Sequence, residues 1–467
     1  IWLAASFFWL LVANLNIGFI AIDDYMHGIV LYIPAQFSSF SEIIEASGFR
    51  SPLPNIFLLS LSKLALSLGL EDPIWQLRFV ASLITLLASM GLFFAIKHFQ
   101  LIQHKYSQNH QRLMAIVGGF YFLSPLFMTR PLVESLSVPF LSISSYFMMR
   151  AHCNRKVLVS SILSVLFLAI ACVFRYQVGL WALGFVALFY FSKQKMTLFT
   201  GLLIGAITGF ILTGLPDLFI KGSFHSSLKS YVGYNLEHSS IYGTTPFYSY
   251  FLLLIGITLP PTFFFRFIAF DFKSYSKTFA PMLVALGAFV VGHSAVPHKE
   301  ERFMVPIFHL FFLILVPLLN YLKIQKPWRY KYFLILNALV LLPASFNPPQ
   351  INTIRLVKWM EVQAPQFQLY QIAEGNFLFP LAFSANQNLK VKILGVAELL
   401  RTELSCNELV AVRYDIKKGL LEQIPGLKEV FVSKPGPLEQ LVVWLNPGKN
   451  ARRGPIFVYQ KEDCRAP

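Results

Sequence analysis

The sequence predicts an all-α polytopic membrane protein that ends in a small extramembrane α/β domain. Of its 467 residues 55% are hydrophobic and 13% charged, whereas soluble domains carry about 25% charged residues. Long apolar stretches recur through the first three quarters of the chain, separated by short basic loops. Beyond about residue 346 the pattern changes to short alternating runs typical of strands.

The apolar stretches fall at 1–20, 76–96, 113–129, 133–149, 157–173, 178–191, 197–215, 247–268, 279–296, 303–322 and 332–346. That gives about eleven transmembrane helices, each long enough or nearly long enough to cross a bilayer. The first stretch is too long and too aromatic for a signal-peptide core, and its opening at Ile1 reads as a run already under way. The segment 52–70 is also apolar, but as a span it would reverse the sidedness of the next loop. It reads instead as an amphipathic helix lying in the interface, within a first external loop of about 21–75.

The net charge of +16 reads as topology, not as a nucleic-acid surface. Lys97, Lys105 and Arg112 share one loop, and Arg150, Arg155 and Lys156 the next. Lys193 with Lys195, then Arg266, Lys273 and Lys277, then Lys323, Lys326, Arg329 and Lys331, mark three more. With the N-terminus inside, all of these loops are cytoplasmic. Asp23, Asp24, Arg50, the segment 130–134, Arg175, the loop 216–246 and the cluster 298–302 then gather on the opposite face. Unusual polar residues collected at one membrane boundary are a functional-site signal.

The expected organisation is thus a membrane domain over 1–346 and an external α/β domain over 347–467. In the latter a helix-like stretch at 353–374 precedes strands at 388–396, 408–414, 428–432, 440–445 and 455–460. Cys406 and Cys464 lie in this tail and can pair in an oxidising compartment. Cys153 and Cys172 read as isolated, Cys172 as a small apolar residue of a span.

Each candidate site residue has two readings. Asp23-Asp24 is a solvated helix end, or a general base whose proton affinity is raised by its acidic neighbour. Arg50, Arg130 and Arg175 are snorkelling side chains, or a phosphate site built on one face without a matching excess of acids. The run Tyr242-Gly243-Thr244-Thr245-Pro246-Phe247 is an interfacial aromatic belt, or a shaped turn whose rings and hydroxyls suit a sugar. His298-Lys299-Glu300-Glu301-Arg302 is a self-compensating salt-bridge turn, or a cationic grip on a phosphate. No glycine-rich nucleotide loop, metal-spaced cysteine pair or serine-nucleophile motif is present in the sequence.

In order along the chain these residues resemble glycosyltransferase family 22, the GT-C-fold mannosyltransferases of GPI-anchor and dolichol-linked glycan assembly. His298-Lys299-Glu300-Glu301-Arg302-Phe303 with Pro306 is similar to the family's His-Lys-Glu-x-Arg-Phe element. Asp23-Asp24 resembles its first-loop Asp-Glu pair, Phe49-Arg50-Ser51 the Arg-Ser closing that loop, Thr129-Arg130 a Thr-Arg pair, and Phe174-Arg175 a later Arg. The segment 242–247 resembles Tyr-Gly-Thr-x-Pro-Trp, with Phe247 in place of Trp. A glutamate that some members carry after the Thr-Arg pair is replaced by Ser137, Glu134 lying three residues early.

The resemblance implies an inverting transferase, acting on a dolichyl- or undecaprenyl-phosphate mannose donor and a lipid-linked acceptor within the bilayer. Asp23 would be the base and Asp24 its helper. His298, Lys299, Arg302, Arg175 and Arg50 would hold the donor phosphate. Tyr242, Gly243, Thr244, Thr245, Phe247, Glu300 and Arg130 would contact sugar or acceptor. No cofactor is required by such a reaction, although it is compatible with a divalent metal. A transporter or flippase of lipid-linked sugars, and a GT-C enzyme using another sugar, are the alternatives. The sequence has no Asn-x-Ser/Thr sequon, which favours a bacterial inner membrane with the site facing the periplasm over an ER membrane with a luminal site.

Overall fold

The computed structural model describes residues 1–20, 48, 50–241, 243–372, 377, 379–386, 388–413, 426–450 and 453–464. Asp23, Asp24 and Tyr242 lie outside the described residues. The described chain is mostly helical with one C-terminal sheet, and it folds as two compact units.

The first unit holds most of residues 37–342 together with the opening helix. Among the described residues five helical stretches are long and apolar enough to cross a membrane: Pro73–Leu101, Val157–Phe174, Lys195–Lys221, Glu301–Gln325 and Pro327–Gln363, the last two each joining two consecutive segments (Glu301–Ile307 with Phe308–Gln325, and Pro327–Phe346 with Ile351–Gln363). Phe272–Thr278 and Ala280–Ala295, bent by 79°, make a sixth if they count together as one span. Trp2–Leu15, Leu53–Ser67 and Tyr176–Phe191 are shorter apolar helices. Two expected spans differ in form. The stretch 113–129 is divided into Gln108–Phe120 and Leu123–Met128. The stretch 247–268 is helical only at Ser249–Ile257, because Pro260 and Pro261 offer no amide donors to extend it.

Small residues set the helix packing. Gly201, Gly205 and Gly209 recur every four residues and therefore line one face of Lys195–Lys221. That face lies against Val157–Phe174: a Cβ on Gly201 would stand 1.9 Å from Ser161 Oγ, and one on Gly205 2.9 Å from Ile162 O. Serines join Val157–Phe174 to Val133–His152, where Ser144 Oγ donates to Ser164 O at 2.7 Å and Ser164 Oγ to Ser144 O at 2.8 Å. Between membrane helices such close approach and exchanged hydrogen bonds stand in for a hydrophobic driving force.

Three basic loops converge at one end of this helix set. Lys105 Nζ donates to Ser274 Oγ and Thr278 Oγ1 at 3.1 and 2.9 Å, and His152 Nε2 lies 3.2 Å from Lys277 O. Glu134 sits in the first turn of Val133–His152 and His152 ends it. At 1.5 Å per residue the two are about 27 Å apart.

The second unit contains residues 343 onward, with short segments from 15–20 and 62–79. Its sheet has the order β2-β1-β3-β5-β4, with β1 Gln368–Ile372, β2 Lys390–Leu394, β3 Glu408–Arg413, β4 Leu427–Ser433 and β5 Ile456–Lys461. β1 pairs in parallel with β2 and β3, while β5 is antiparallel to β3 and β4. Side chains alternate across it. Leu369, Leu409, Ala411, Ile456 and Val458 pack with Leu356, Val357 and Met360 of the helix Ile351–Gln363, whereas Tyr370, Ile372, Val410, Val412 and Tyr459 fill the other face. Cys406 and Cys464 form a disulfide at the ends of paired β3 and β5, with Cα atoms 5.3 Å apart.

Two tail expectations are corrected. Residues 440–445 are not a strand but part of the helix Pro437–Leu445. Pro437 suits a first helical turn, and Leu438, Leu441, Val442 and Leu445 follow the helical period. The helix expected over 353–374 stops at Gln363, before Pro365, and β1 occupies 368–372.

Candidate active site

Glu134 is the buried centre of the described charged cluster. Its side chain is 0% exposed and its Oε1 lies 2.9 Å from Arg175 Nη1 and 3.9 Å from Arg302 Nη1. Neither carboxylate oxygen accepts a well-aligned hydrogen bond, so the contact with Arg175 is charge against charge. The helix start adds to it, since amides at an N-terminus favour a carboxylate in the first turn. Arg175 closes Val157–Phe174, and Arg302 lies in the 3₁₀ turn Glu301–Ile307. Both guanidinium groups stand over Phe303, at 4.4 and 5.5 Å from its ring centre, a favourable placement against the electron-rich ring face.

Glu300 is the second acid. It receives Arg302 Nε at 2.7 Å and Nη2 at 3.1 Å, and its Oε1 lies 3.0 Å from His298 Nε2. The extended backbone at Glu300 (φ −125°, ψ 145°) explains the selection. Side chains alternate along extended chain, so His298 and Glu300 share a side while Lys299 points away. Tyr250 fixes this backbone from the helix Ser249–Ile257: its hydroxyl donates to Glu300 O and accepts Glu300 N–H, both at 3.2 Å.

Lys299 ties two of the motifs together. Its Nζ donates to Val296 O at 2.6 Å and Thr245 O at 3.0 Å, and Thr245 N donates to Pro297 O at 3.0 Å. Partial burial shifts the Lys299 amine below its ordinary value. Gly243 adopts φ +92°, a left-handed conformation that glycine takes without strain. Thr244, Thr245 and Phe247 are exposed.

The structure thus brings Arg175, His298, Glu300 and Arg302 together and joins Lys299 to the 243–247 segment. Around Arg50 and Arg130 the described contacts are to backbone carbonyls. Lys221 Nζ donates to Gly48 O and Arg50 O at 2.9 and 2.8 Å, and the buried Arg130 donates through Nε to Leu126 O at 3.1 Å. Glu134, Tyr250 and Lys221 were absent from the sequence-derived site. Glu134 did carry a signal, as a lone acid opening a largely apolar helix. Among the described residues no three His, Cys, Asp or Glu side chains converge as a metal site.

Chemically, the cluster is two arginines and a histidine on a carboxylate scaffold, suited to an anion with several oxygens. The overall fold is similar to that of ArnT from Cupriavidus metallidurans, solved bound to undecaprenyl phosphate and in the apo state. The TM-scores are 0.54 and 0.59, with 10% and 11% sequence identity, over 98% of this chain and 97% of those chains. A search of curated proteins gave no sequence match. The profile of the Alg9-like mannosyltransferase family matches residues 42–352. The chain belongs to the Alg9-like mannosyltransferase family and is a membrane glycosyltransferase.

Proposed function

We propose that the protein transfers mannose from a polyprenyl-phosphate donor to a hydroxyl of a lipid-linked glycan, at the membrane face opposite its basic loops. The observation that carries this reading is the pairing of Arg175 and Arg302 around Glu134, beside His298. It lies at the far end of a 20-residue helix from the basic loops, in a member of a mannosyltransferase family. The undecaprenyl phosphate bound to the structurally similar ArnT supports the donor class.

In this reading Asp23, helped by Asp24, takes the proton from the acceptor hydroxyl. The freed oxygen attacks the anomeric carbon from the side opposite the phosphate, and the bond from that carbon to the phosphate oxygen breaks with inversion. The electron pair leaves with the polyprenyl phosphate. Charge on that phosphate grows as the bond breaks, so preorganised cations stabilise the transition state more than the ground state. Arg302, Arg175 and His298 supply them, with Arg50 on the neighbouring first loop. Lys299 holds the 243–247 segment, where Thr244, Thr245 and Phe247 line the sugar or acceptor side with Tyr242, Arg130 and Glu300. The compartment is a bacterial inner membrane, with the site facing the periplasm.

Mass spectrometry of lipid-linked glycans from cells with and without the protein tests this. One hexose added only in its presence, and lost with Asp23→Asn, is the expected result. Identical glycan profiles would refute the reading.

A further inference from the structure

We propose that Glu300 is an exchangeable stand-in for the phosphate this site binds, and that Glu134 is the fixed counter-ion left behind. The inference rests on the donor class proposed above. The two acids differ in access. The Glu300 side chain is 33% exposed and Glu134 is 0% exposed. Glu300 takes Arg302 through two parallel hydrogen bonds and His298 through a third contact. A phosphate would use the same guanidinium fork and the same imidazole nitrogen.

The exchange requires only the side chain of Glu300 to move, because Tyr250 holds its backbone N–H and C=O. Charge is conserved. Among the described residues two arginines face two carboxylates, and a donor phosphodiester carries one negative charge, as Glu300 does. Glu134 is fully buried, and its departure would take from the buried Arg175 its described carboxylate contact. The carboxylate of Glu300 therefore competes with the donor, and keeps the arginines aligned until the donor arrives.

The test uses full-length protein in phosphatidylcholine nanodiscs, with Kd measured for undecaprenyl phosphate and, separately, inorganic phosphate. Glu300→Gln should bind undecaprenyl phosphate about tenfold more tightly than wild type, a change of about 1.4 kcal/mol. Glu300→Asp, whose shorter side chain cannot span Arg302 and His298, should shift in the same direction as Glu300→Gln and serves if that variant does not fold. Equal or weaker binding by both Glu300 variants, with wild type binding normally, overturns the exchange and leaves the donor class standing. Tightening for inorganic phosphate alone supports the exchange but overturns the lipid donor. No binding of either phosphate by any of the proteins overturns both.

Discussion

Replacing Glu134 by Gln should destabilise the membrane unit more than replacing Arg175 by Met. The Glu134 side chain is 0% exposed and Arg175 is 8% exposed. Removing one partner of a buried ion pair leaves an uncompensated charge and costs about 3–5 kcal/mol. The two substitutions are unequal because Arg302 also faces Glu134. Attraction falls as the inverse of distance, so the 3.9 Å contact retains about three-quarters of the pull of the 2.9 Å contact. Arg175→Met therefore leaves Glu134 a partner, whereas Glu134→Gln leaves Arg175 none of its described carboxylate contacts. The double variant removes both charges and should recover at least about 2 kcal/mol of the summed single effects. Tryptophan fluorescence in detergent reads this as melting temperature. About 1.5 °C per kcal/mol, a value scaled down for a large unit, gives a loss of about 4–8 °C for Glu134→Gln. A Glu134→Gln protein melting within a degree of wild type, or strictly additive single effects, would refute the buried counter-ion.

Other consequences are local. Cys406→Ser opens a loop of 58 residues; chain entropy puts its cost to the C-terminal unit at about 4 kcal/mol, readable as easier urea unfolding that wild type reproduces only when reduced. Gly205→Val places branched carbons against Ile162 O and Val165 Cβ, each already 2.9 Å from a would-be Cβ, and should cost about 1–3 kcal/mol by overpacking, seen as a lower melting temperature; an unchanged value would contradict the helix contact. In the tail, Tyr370 donates to the Glu408 carboxylate at 2.6 Å. Burial works against ionisation of Glu408, but bonds from Ser405 and Tyr370 outweigh it and hold its carboxyl below the ordinary value. A depressed carboxyl gives stability that is present above its unfolded value and lost as pH falls through the folded one. Tyr370→Phe should thus cost about 1 kcal/mol at neutral pH and less once Glu408 is protonated, measured by urea unfolding across the acid limb.

The membrane class was legible because span length and loop charge are properties of contiguous sequence. Every apolar stretch expected to span carries a helix, though length alone did not foresee the break at Tyr121–Phe122 or the stop before Pro260. Strand β1 was hidden. Leu369 and Ile372 stand three residues apart and extend the helical period of the preceding segment, while the buried Gln371 interrupts a strand's alternation. Val442, Val443 and Trp444 favour a strand by propensity, but Gly436-Pro437 starts a helix and the period completes it.

The described charged cluster was legible in part. Residue type marked Arg175, His298 and Arg302, and nearness in sequence placed Lys299 among them. Extended backbone at Glu300 sends the Lys299 side chain the other way, to Thr245 O. The partnership of Glu134 with Arg175 and Arg302 depends on three elements meeting in space, which no local pattern encodes. Asp23 and Asp24 rest on resemblance, outside the described residues.

The most direct measurement is transfer by the purified protein in nanodiscs, offered radiolabelled mannose either on undecaprenyl phosphate or on a nucleotide, with a lipid-linked glycan extract as acceptor. The account predicts transfer from the lipid donor alone, release of one undecaprenyl phosphate per sugar, and an anomeric configuration opposite to the donor's. It also predicts that Arg302→Gln lowers turnover. Transfer from the nucleotide sugar, or retention of configuration, would contradict it.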